Sequence, residues 1–248
     1  MKDILASFIL LTRLPLWRIC EVPAECFKHV VVYWPLVGWL TGGVTAGVLW
    51  LAAQVFPMEL AWIFALLSRL LLTGCLHEDG LADFCDGFGG GSTRERTLEI
   101  MKDSRIGTYG VIGLVMYFLL LYQLHRLPLP LLCGLCFSGD VFVKFVSSQI
   151  VNVLPYARKV EDSKAKVVYS RMSAREFLTG MVFGLVPTGV FAWSHPRVLL
   201  ACVAPFVAFV CLCALMRRRI GGYTGDCVGA LFLISELVFL LAGLALLR

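Results

Sequence analysis

The run Leu60-Ala61-Trp62-Ile63-Phe64-Ala65-Leu66-Leu67-Ser68-Arg69-Leu70-Leu71-Leu72-Thr73-Gly74-Cys75-Leu76 passes directly into His77-Glu78-Asp79-Gly80-Leu81-Ala82-Asp83-Phe84-Cys85-Asp86-Gly87. An apolar stretch of membrane-spanning character is followed at once by four carboxylates in nine positions. Read as a helix, the acidic stretch places Asp79, Asp83 and Asp86 at i, i+4 and i+7, on one face. Three like charges stacked this way repel one another, and the arrangement makes sense around a cation. Hard oxygen donors suit Mg²⁺. The plainer reading is a solvated acidic helix start, favoured by the helix macrodipole. It explains the first acid better than the third.

Composition carries the membrane reading over the whole chain. Of 248 residues, 59% are hydrophobic and 16% charged, and the mean hydropathy is +0.82. A soluble domain is about half apolar and about a quarter charged. A helix needs about 20 apolar residues to cross a bilayer. Hydropathy then gives about seven spans, at 30–56, 60–76, 107–125, 129–153, 177–193, 197–216 and 227–247. The expectation is an all-α polytopic membrane bundle formed by 1–248 as a single domain, with an acidic active-site loop facing the cytoplasm. Pro35, Gly38, Gly42, Gly43 and Gly47 in the first span allow close helix packing. Before it, Arg13 and Pro15 interrupt a short apolar run, which suits an interfacial or re-entrant helix. The ten cysteines are scattered through apolar stretches, so Cys133 and Cys136 read as small buried hydrophobes rather than a redox or zinc pair.

The net charge of +5 lies in loops, which gives no reason to expect a nucleic-acid partner. Lys2, Arg13, Arg18 and Lys28 precede the first span. Arg94, Arg96, Lys102 and Arg105 lie in the next loop on that side, then Arg158, Lys159, Lys164, Lys166, Arg171 and Arg175, then Arg217, Arg218 and Arg219. The opposite loops hold little beyond Arg126 and Arg197. The positive-inside rule therefore makes the N-terminus and the charged loops cytoplasmic, and seven spans put the C-terminus outside.

Within 77–106, Gly87, Gly89, Gly90 and Gly91 are expected to break the first helix, and Ser92-Thr93-Arg94-Glu95 reads as a capping box that starts a second. Two helices joined by a flexible glycine turn are then able to close over a substrate. Lys102 and Arg105, at the end of the second helix, are placed to neutralise phosphate oxygens beside a metal. The alternative is an ordinary amphipathic helix at the membrane surface. His77 is a base, a ligand or a helix-start residue.

A second polar group opens the last span, at Gly221-Gly222-Tyr223-Thr224-Gly225-Asp226. Thr224 or Asp226 is able to cap the helix, and the glycines let backbone approach a phosphate. Glu236 lies ten residues further on, inside an apolar span. An ionisable group there is costly and marks function, or else a pairing with Arg69 or Lys144. Asp140 and Lys144, at i and i+4, are able to neutralise each other.

These motifs together resemble the cobalamin synthase family, the adenosylcobinamide-GDP ribazoletransferases. The resemblance rests on His77-Glu78-Asp79-Gly80-Leu81-Ala82-Asp83, Asp86-Gly87, Arg94-Glu95-Arg96 and Leu98 through Gly107. It extends to Thr12-Arg13-Leu14-Pro15, Pro35-Leu36-Val37-Gly38, Gly221-Gly222, Thr224-Gly225-Asp226, Gly229-Ala230 and Glu236, and so covers essentially the whole chain. It implies a magnesium-dependent enzyme of the bacterial inner membrane that joins adenosylcobinamide-GDP to α-ribazole or its 5′-phosphate and releases GMP. The lipid bilayer is then its surroundings, and a homo-oligomer is left open. On this resemblance Asp79, Asp83 and Asp86 are the metal ligands. His77 and Asp103 are the catalytic candidates, and Lys102, Arg105, Thr224, Asp226 and Glu236 bind substrate. The chain departs from the family pattern at Glu78, at Asp140 and at Lys164-Ala165-Lys166.

Two other readings compete. A CDP-alcohol phosphotransferase also uses a membrane-embedded acid cluster, but its pattern wants an arginine after Ala82, where this chain has Asp83. A transporter with Arg69, Asp140, Lys144 and Glu236 along a polar path is the other, although no inverted repeat is visible.

Overall fold

The computed structural model describes residues 1–158 and 168–247. Lys159 and the Lys164-Ala165-Lys166 turn lie outside the described residues. Every regular element among the described residues is helical. In chain order they are α1 (Lys2–Leu11), short 3₁₀ segments at Leu16–Arg18 and Ala24–Tyr33, α2 (Trp34–Ala52), α3 (Met58–Thr73), α4 (Leu76–Gly90) and α5 (Arg94–Ile100). Then follow α6 (Thr108–Tyr122), a 3₁₀ turn at Gln123–Arg126, α7 (Leu129–Ser148), α8 (Ile150–Val153), α9 (Ala174–Ser194), α10 (Val198–Ala201), α11 (Val203–Ile220) and α12 (Gly225–Leu247).

Among the described residues six helical stretches are long and apolar enough to cross a membrane: Ala24–Ala52, Thr108–Arg126, Leu129–Val153, Ala174–Ser194, Val198–Ile220 and Gly225–Leu247. They correspond to six of the seven expected spans. The remaining one, 60–76, is α3, whose 16 residues reach about 24 Å at a rise of about 1.5 Å each, short of a hydrocarbon core of about 30 Å. It makes a seventh span only together with α4, from which it is bent by 89°. The bend is local chain chemistry. Gly74 and Cys75 both adopt left-handed backbone, at φ 66° and 58°. Glycine does so freely, whereas a cysteine there is held against its preference. Arg13 N–H donates to the Leu72 carbonyl at 2.7 Å, and Cys75 N–H to that of Leu70 at 3.1 Å, fixing the corner. The acidic stretch therefore runs as a helix set across the axis of α3.

Small residues set the packing. A side chain at Gly38 would bring its Cβ within 2.9 Å of the Val141 Cα, and one at Gly42 within 3.2 Å of the Phe137 Cα, so α2 and α7 meet backbone to backbone. Gly47 has open space around it and takes no part in this contact. Cys136 is buried and all ten cysteines are free, as expected of apolar packing residues.

Arg69 and Lys144 each hold a buried ionic group deep in the bundle. Arg69 on α3 donates to Glu236 on α12 at 2.6 Å and to the Tyr117 hydroxyl at 2.8 Å, and Glu78 stands 3.6 Å from the same guanidinium. Asp140 is paired with Lys144 on α7 and accepts a hydrogen bond from Thr41 on α2. Glu236 thus pairs with Arg69 rather than with Lys144. Charges this deep persist only when partnered.

Candidate active site

One end of the bundle is assembled around α4. Gly80 on α4 and Gly229 on α12 let the two helices cross in contact. A Cβ at Gly80 would stand 2.9 Å from the Asp226 carbonyl oxygen, and one at Gly229 3.2 Å from that of His77. This crossing brings Asp226 to the first turn of α4, where Asp79 lies. Thr224, fully buried, caps α12 by accepting the Cys227 N–H at 3.3 Å.

Around the crossing lies a cavity of about 140 Å³ whose polar lining is His77, Asp79, Tyr156, Arg158, Tyr169 and Asp226. Leu10 and Leu11 of α1, Val30 and Val31, and Trp34 of α2 form its apolar wall. Cavities that enclose a drug-sized molecule run to about 300 Å³ or more. This one is smaller than that.

Consecutive residues of α4 point to three different surroundings, because a helix turns by about 100° per residue. The His77 ring is buried, stacked on Trp34 at 5.7 Å and against Phe232 at 4.9 Å. Its Nε2 and the Trp34 Nε1 are buried with no hydrogen-bond partner among the described residues. Glu78 turns inward to Arg69. Asp79 is exposed at the cavity.

Asp83 lies one turn beyond Asp79 and is half-buried. Asp86, buried, has a different environment. Its two carboxylate oxygens accept the N–H groups of Gly107 at 2.7 Å and Gly110 at 2.8 Å. It thereby caps α6 from a neighbouring helix, where Gly107 has no side chain to do so.

Among the described residues no three His, Cys, Asp or Glu side chains converge into a ready cage for a metal ion. Mg²⁺ is commonly held by one or two carboxylates with waters and substrate phosphates. Asp79 and Asp226, two oxygen donors lining one cavity, fit that sparse set, with Asp83 a turn away.

The other candidates are placed elsewhere. Glu236 is 2% exposed and is committed to Arg69. The cavity beside this pair, about 10 Å³, has room for about one water. Lys102 and Arg105 are exposed after α5 and do not line the main cavity. Arg105 is instead bound to Asp103, with Nη2 to Oδ2 at 2.8 Å. The hydrogen bonds from the Arg105 side chain and backbone pull the Asp103 carboxyl down to about 2.

The glycine turn before α5 is strapped rather than free to swing. α4 continues through Gly87 and Gly89 to Gly90. Arg219 donates to the carbonyls of Phe88 and Gly91, at 3.2 and 2.5 Å. Arg94 donates to those of Ile220 and Ala157, at 2.9 and 3.2 Å. The helix start is also simpler than a full capping box: Thr93 is the cap, accepting the Arg96 N–H at 3.2 Å.

Sequence reasoning treated Arg158 only as one of several loop charges, and passed over Trp34, Tyr156 and Tyr169. A cue was present in Pro155-Tyr156-Ala157-Arg158 at the exit of an apolar span. Nothing local, however, ties that segment to the acids.

A model of the family described as cobalamin-5-phosphate synthase matches residues 3–244. A curated relative from Leptothrix cholodnii, named adenosylcobinamide-GDP ribazoletransferase, is 40% identical over 94% of this chain and 91% of its own length. One of the same name from Shewanella amazonensis is 38% identical over 98% and 94%. Another, from Leptospira interrogans, is 34% identical over 95% and 92%. No solved structure matches the chain.

Proposed function

The chain belongs to the cobalamin-5-phosphate synthase family, and we propose that it is an integral membrane transferase working at the cavity between α4 and α12. The reaction moves adenosylcobinamide phosphate from adenosylcobinamide-GDP to α-ribazole or its 5′-phosphate and completes the nucleotide loop of the coenzyme. An acceptor ribose oxygen forms the new bond to the phosphorus that carries cobinamide. The bond from that phosphorus to the GMP oxygen breaks, GMP leaves, and the hydroxyl proton passes to a base.

The observation that carries this reading is the meeting of His77, Asp79, Arg158 and Asp226 in one cavity that apolar side chains also line. The polar lining suits a diphosphate. The wall of Leu10, Leu11, Val30, Val31 and Trp34 suits the acceptor's base, a benzimidazole bearing two methyl groups. Asp79, Asp83 and Asp226 are the residues that would hold Mg²⁺. Bound there, the ion would neutralise the diphosphate and polarise the phosphorus under attack. Asp86 belongs to the same acid face and, through its bonds to Gly107 and Gly110, sets the start of α6.

His77 is the candidate to take the acceptor's proton. Its ring is fixed by Trp34 and Phe232, and its Nε2 has no hydrogen-bond partner among the described residues. Lys102 and Arg105 reach a part of the donor outside the cavity, and Asp103 orients Arg105. Thr224 shapes the backbone that presents Asp226. Glu236 acts through Arg69, which fixes α3 against α12 beneath the site. The surrounding membrane is the inner membrane, with this end of the bundle towards the cytoplasm.

The test is turnover by the purified protein given adenosylcobinamide-GDP, α-ribazole and Mg²⁺. Cobalamin and GMP should appear in equal amounts. Release of CMP from a CDP-alcohol instead, with none of the first activity, would overturn the assignment.

A further inference from the structure

We propose that Arg158 binds the diphosphate of the donor and stabilises the negative charge on its transferring phosphoryl group, an inference that rests on the transferase reading above. Arg158 is fixed in place by its backbone. The preceding residues form a two-bond bridge to the segment that leads into α12: Ala157 N–H donates to the Tyr223 carbonyl at 2.8 Å, and Tyr223 N–H to that of Pro155 at 3.0 Å. The Ala157 carbonyl is held in turn by Arg94 at 3.2 Å. The segment carrying Arg158 is thus fastened to the backbone just before Asp226.

The side chain is 6% exposed and lines the cavity together with Asp79, Asp226 and His77. Among the described residues its pairing is loose. Its Nη1 stands 3.5 Å from the Asp226 carboxylate, and its Nη2 is 3.3 Å from the Leu98 carbonyl. A guanidinium closely paired with a carboxylate sits at about 2.7–2.9 Å, often through two parallel bonds. Here the contact to the acid is long and single. Burying a cation in that state is unfavourable unless an anion completes it, and the cavity opens beside it. The planar fork of five donors matches phosphate oxygens. Arg105, by contrast, is engaged by Asp103 and its side chain is 87% exposed.

In the reaction Arg158 exchanges no proton. It donates hydrogen bonds to non-bridging oxygens while the bond to the acceptor oxygen forms and that to GMP breaks. Such a donor, buried and already oriented, acts most strongly where charge develops.

The experiment uses the full chain purified in detergent, comparing wild type with Arg158→Ala, Arg158→Gln and Arg158→Lys. Turnover, KM for the donor, inhibition by inorganic pyrophosphate in the presence of Mg²⁺, and melting temperature are measured for each. Arg158→Ala is expected to lower kcat by about 10²–10³-fold, with weaker pyrophosphate inhibition and an unchanged melting temperature. Added guanidinium ion should restore part of its kcat. Arg158→Lys should keep part of the activity, since a point charge cannot reproduce the fork. If pyrophosphate inhibits the Ala and Gln variants as it does wild type, or if activity falls only in step with melting temperature and guanidinium rescues nothing, the proposal is overturned. Absence of GMP release by wild type overturns the transferase reading instead. In that case the binding of Mg²⁺-pyrophosphate, read directly by titration calorimetry on wild type and Arg158→Ala, decides the role of Arg158: weaker binding by the variant supports it and equal binding overturns it.

Discussion

The carboxylate of Asp86 accepts the backbone N–H of Gly107 at 2.7 Å, although 21 residues separate them. The other oxygen takes the N–H of Gly110 at 2.8 Å. Gly107 and Gly110 are required for the approach, because a Cβ at either would stand 2.5 Å from an Asp86 oxygen. Gly110→Ala should therefore destabilise the protein by about 1–3 kcal/mol through overpacking. Asp86→Asn should cost about 1–3 kcal/mol, because its amide NH₂ faces a donor it cannot accept. Denaturant unfolding in detergent checks both, and wild-type stability in either variant would remove the capping role.

Asp83 gives the contrasting case. It is half-buried one turn from Asp79. Asp83→Asn should keep the melting temperature while turnover falls by at least tenfold and the Mg²⁺ requirement rises. Near-normal activity at ordinary Mg²⁺ would return the acid face to the plain reading of a solvated helix.

Arg69 is shared between two carboxylates, Glu236 at 2.6 Å and Glu78 at 3.6 Å. Breaking a buried ion pair outright costs about 3–5 kcal/mol. Glu236→Gln should cost less than that, because Glu78 still faces the guanidinium. Glu78→Gln with Glu236→Gln should exceed the sum of the single changes by about 0.5–3 kcal/mol. Strict additivity would show that Glu78 does not share Arg69. Glu236→Gln should also leave the Mg²⁺ dependence of turnover unchanged.

The Asp103 carboxyl, drawn down to about 2 by the hydrogen bonds from Arg105, is ionised throughout the working range. A lowered carboxyl makes its contribution above the ordinary carboxylate range and loses it as pH falls towards 2. The acid limb of the pH–rate profile should therefore lie in the same place in wild type and in Asp103→Asn. A limb that moves with this substitution would assign it to Asp103.

The contrast between Asp79 and Asp86 shows what sequence could reveal. Helical spacing correctly puts the acids on one face, because that relation is set by the local backbone. It cannot show that the third acid is taken up by α6, since that contact depends on where a distant helix begins. The i, i+4 pairing of Asp140 with Lys144 was legible for the same local reason. The pairing of Arg69 with Glu236 was legible because charges in lipid must find partners. The 89° corner at Gly74 and Cys75 was not, since a cysteine in left-handed backbone leaves no periodic trace. The glycine turn read as a hinge because glycines permit movement. The carbonyl contacts from Arg94 and Arg219 that hold it come from residues far along the chain or across a helix.

Orientation in the membrane follows from which end of the bundle collects the cations. Arg94, Arg158 and Arg219 all bind backbone around the α4–α5 turn and the start of α12. The short connection at the far end of α9, between Ser194 and Val198, carries Arg197 alone among Lys and Arg. By the positive-inside rule the turn at Ser92 is expected in the cytoplasm and Ser194 on the opposite side. Both serines are exposed, so Ser92→Cys and Ser194→Cys are suited to labelling by an impermeant thiol reagent. The parent should have the exposed Cys75 and Cys211 replaced by serine, to keep background labelling low. In intact cells the reagent should reach position 194 and not 92, and in inverted membrane vesicles the reverse. Labelling of both from one side would mean that the connections alternate differently, and the active end would then have to be placed anew.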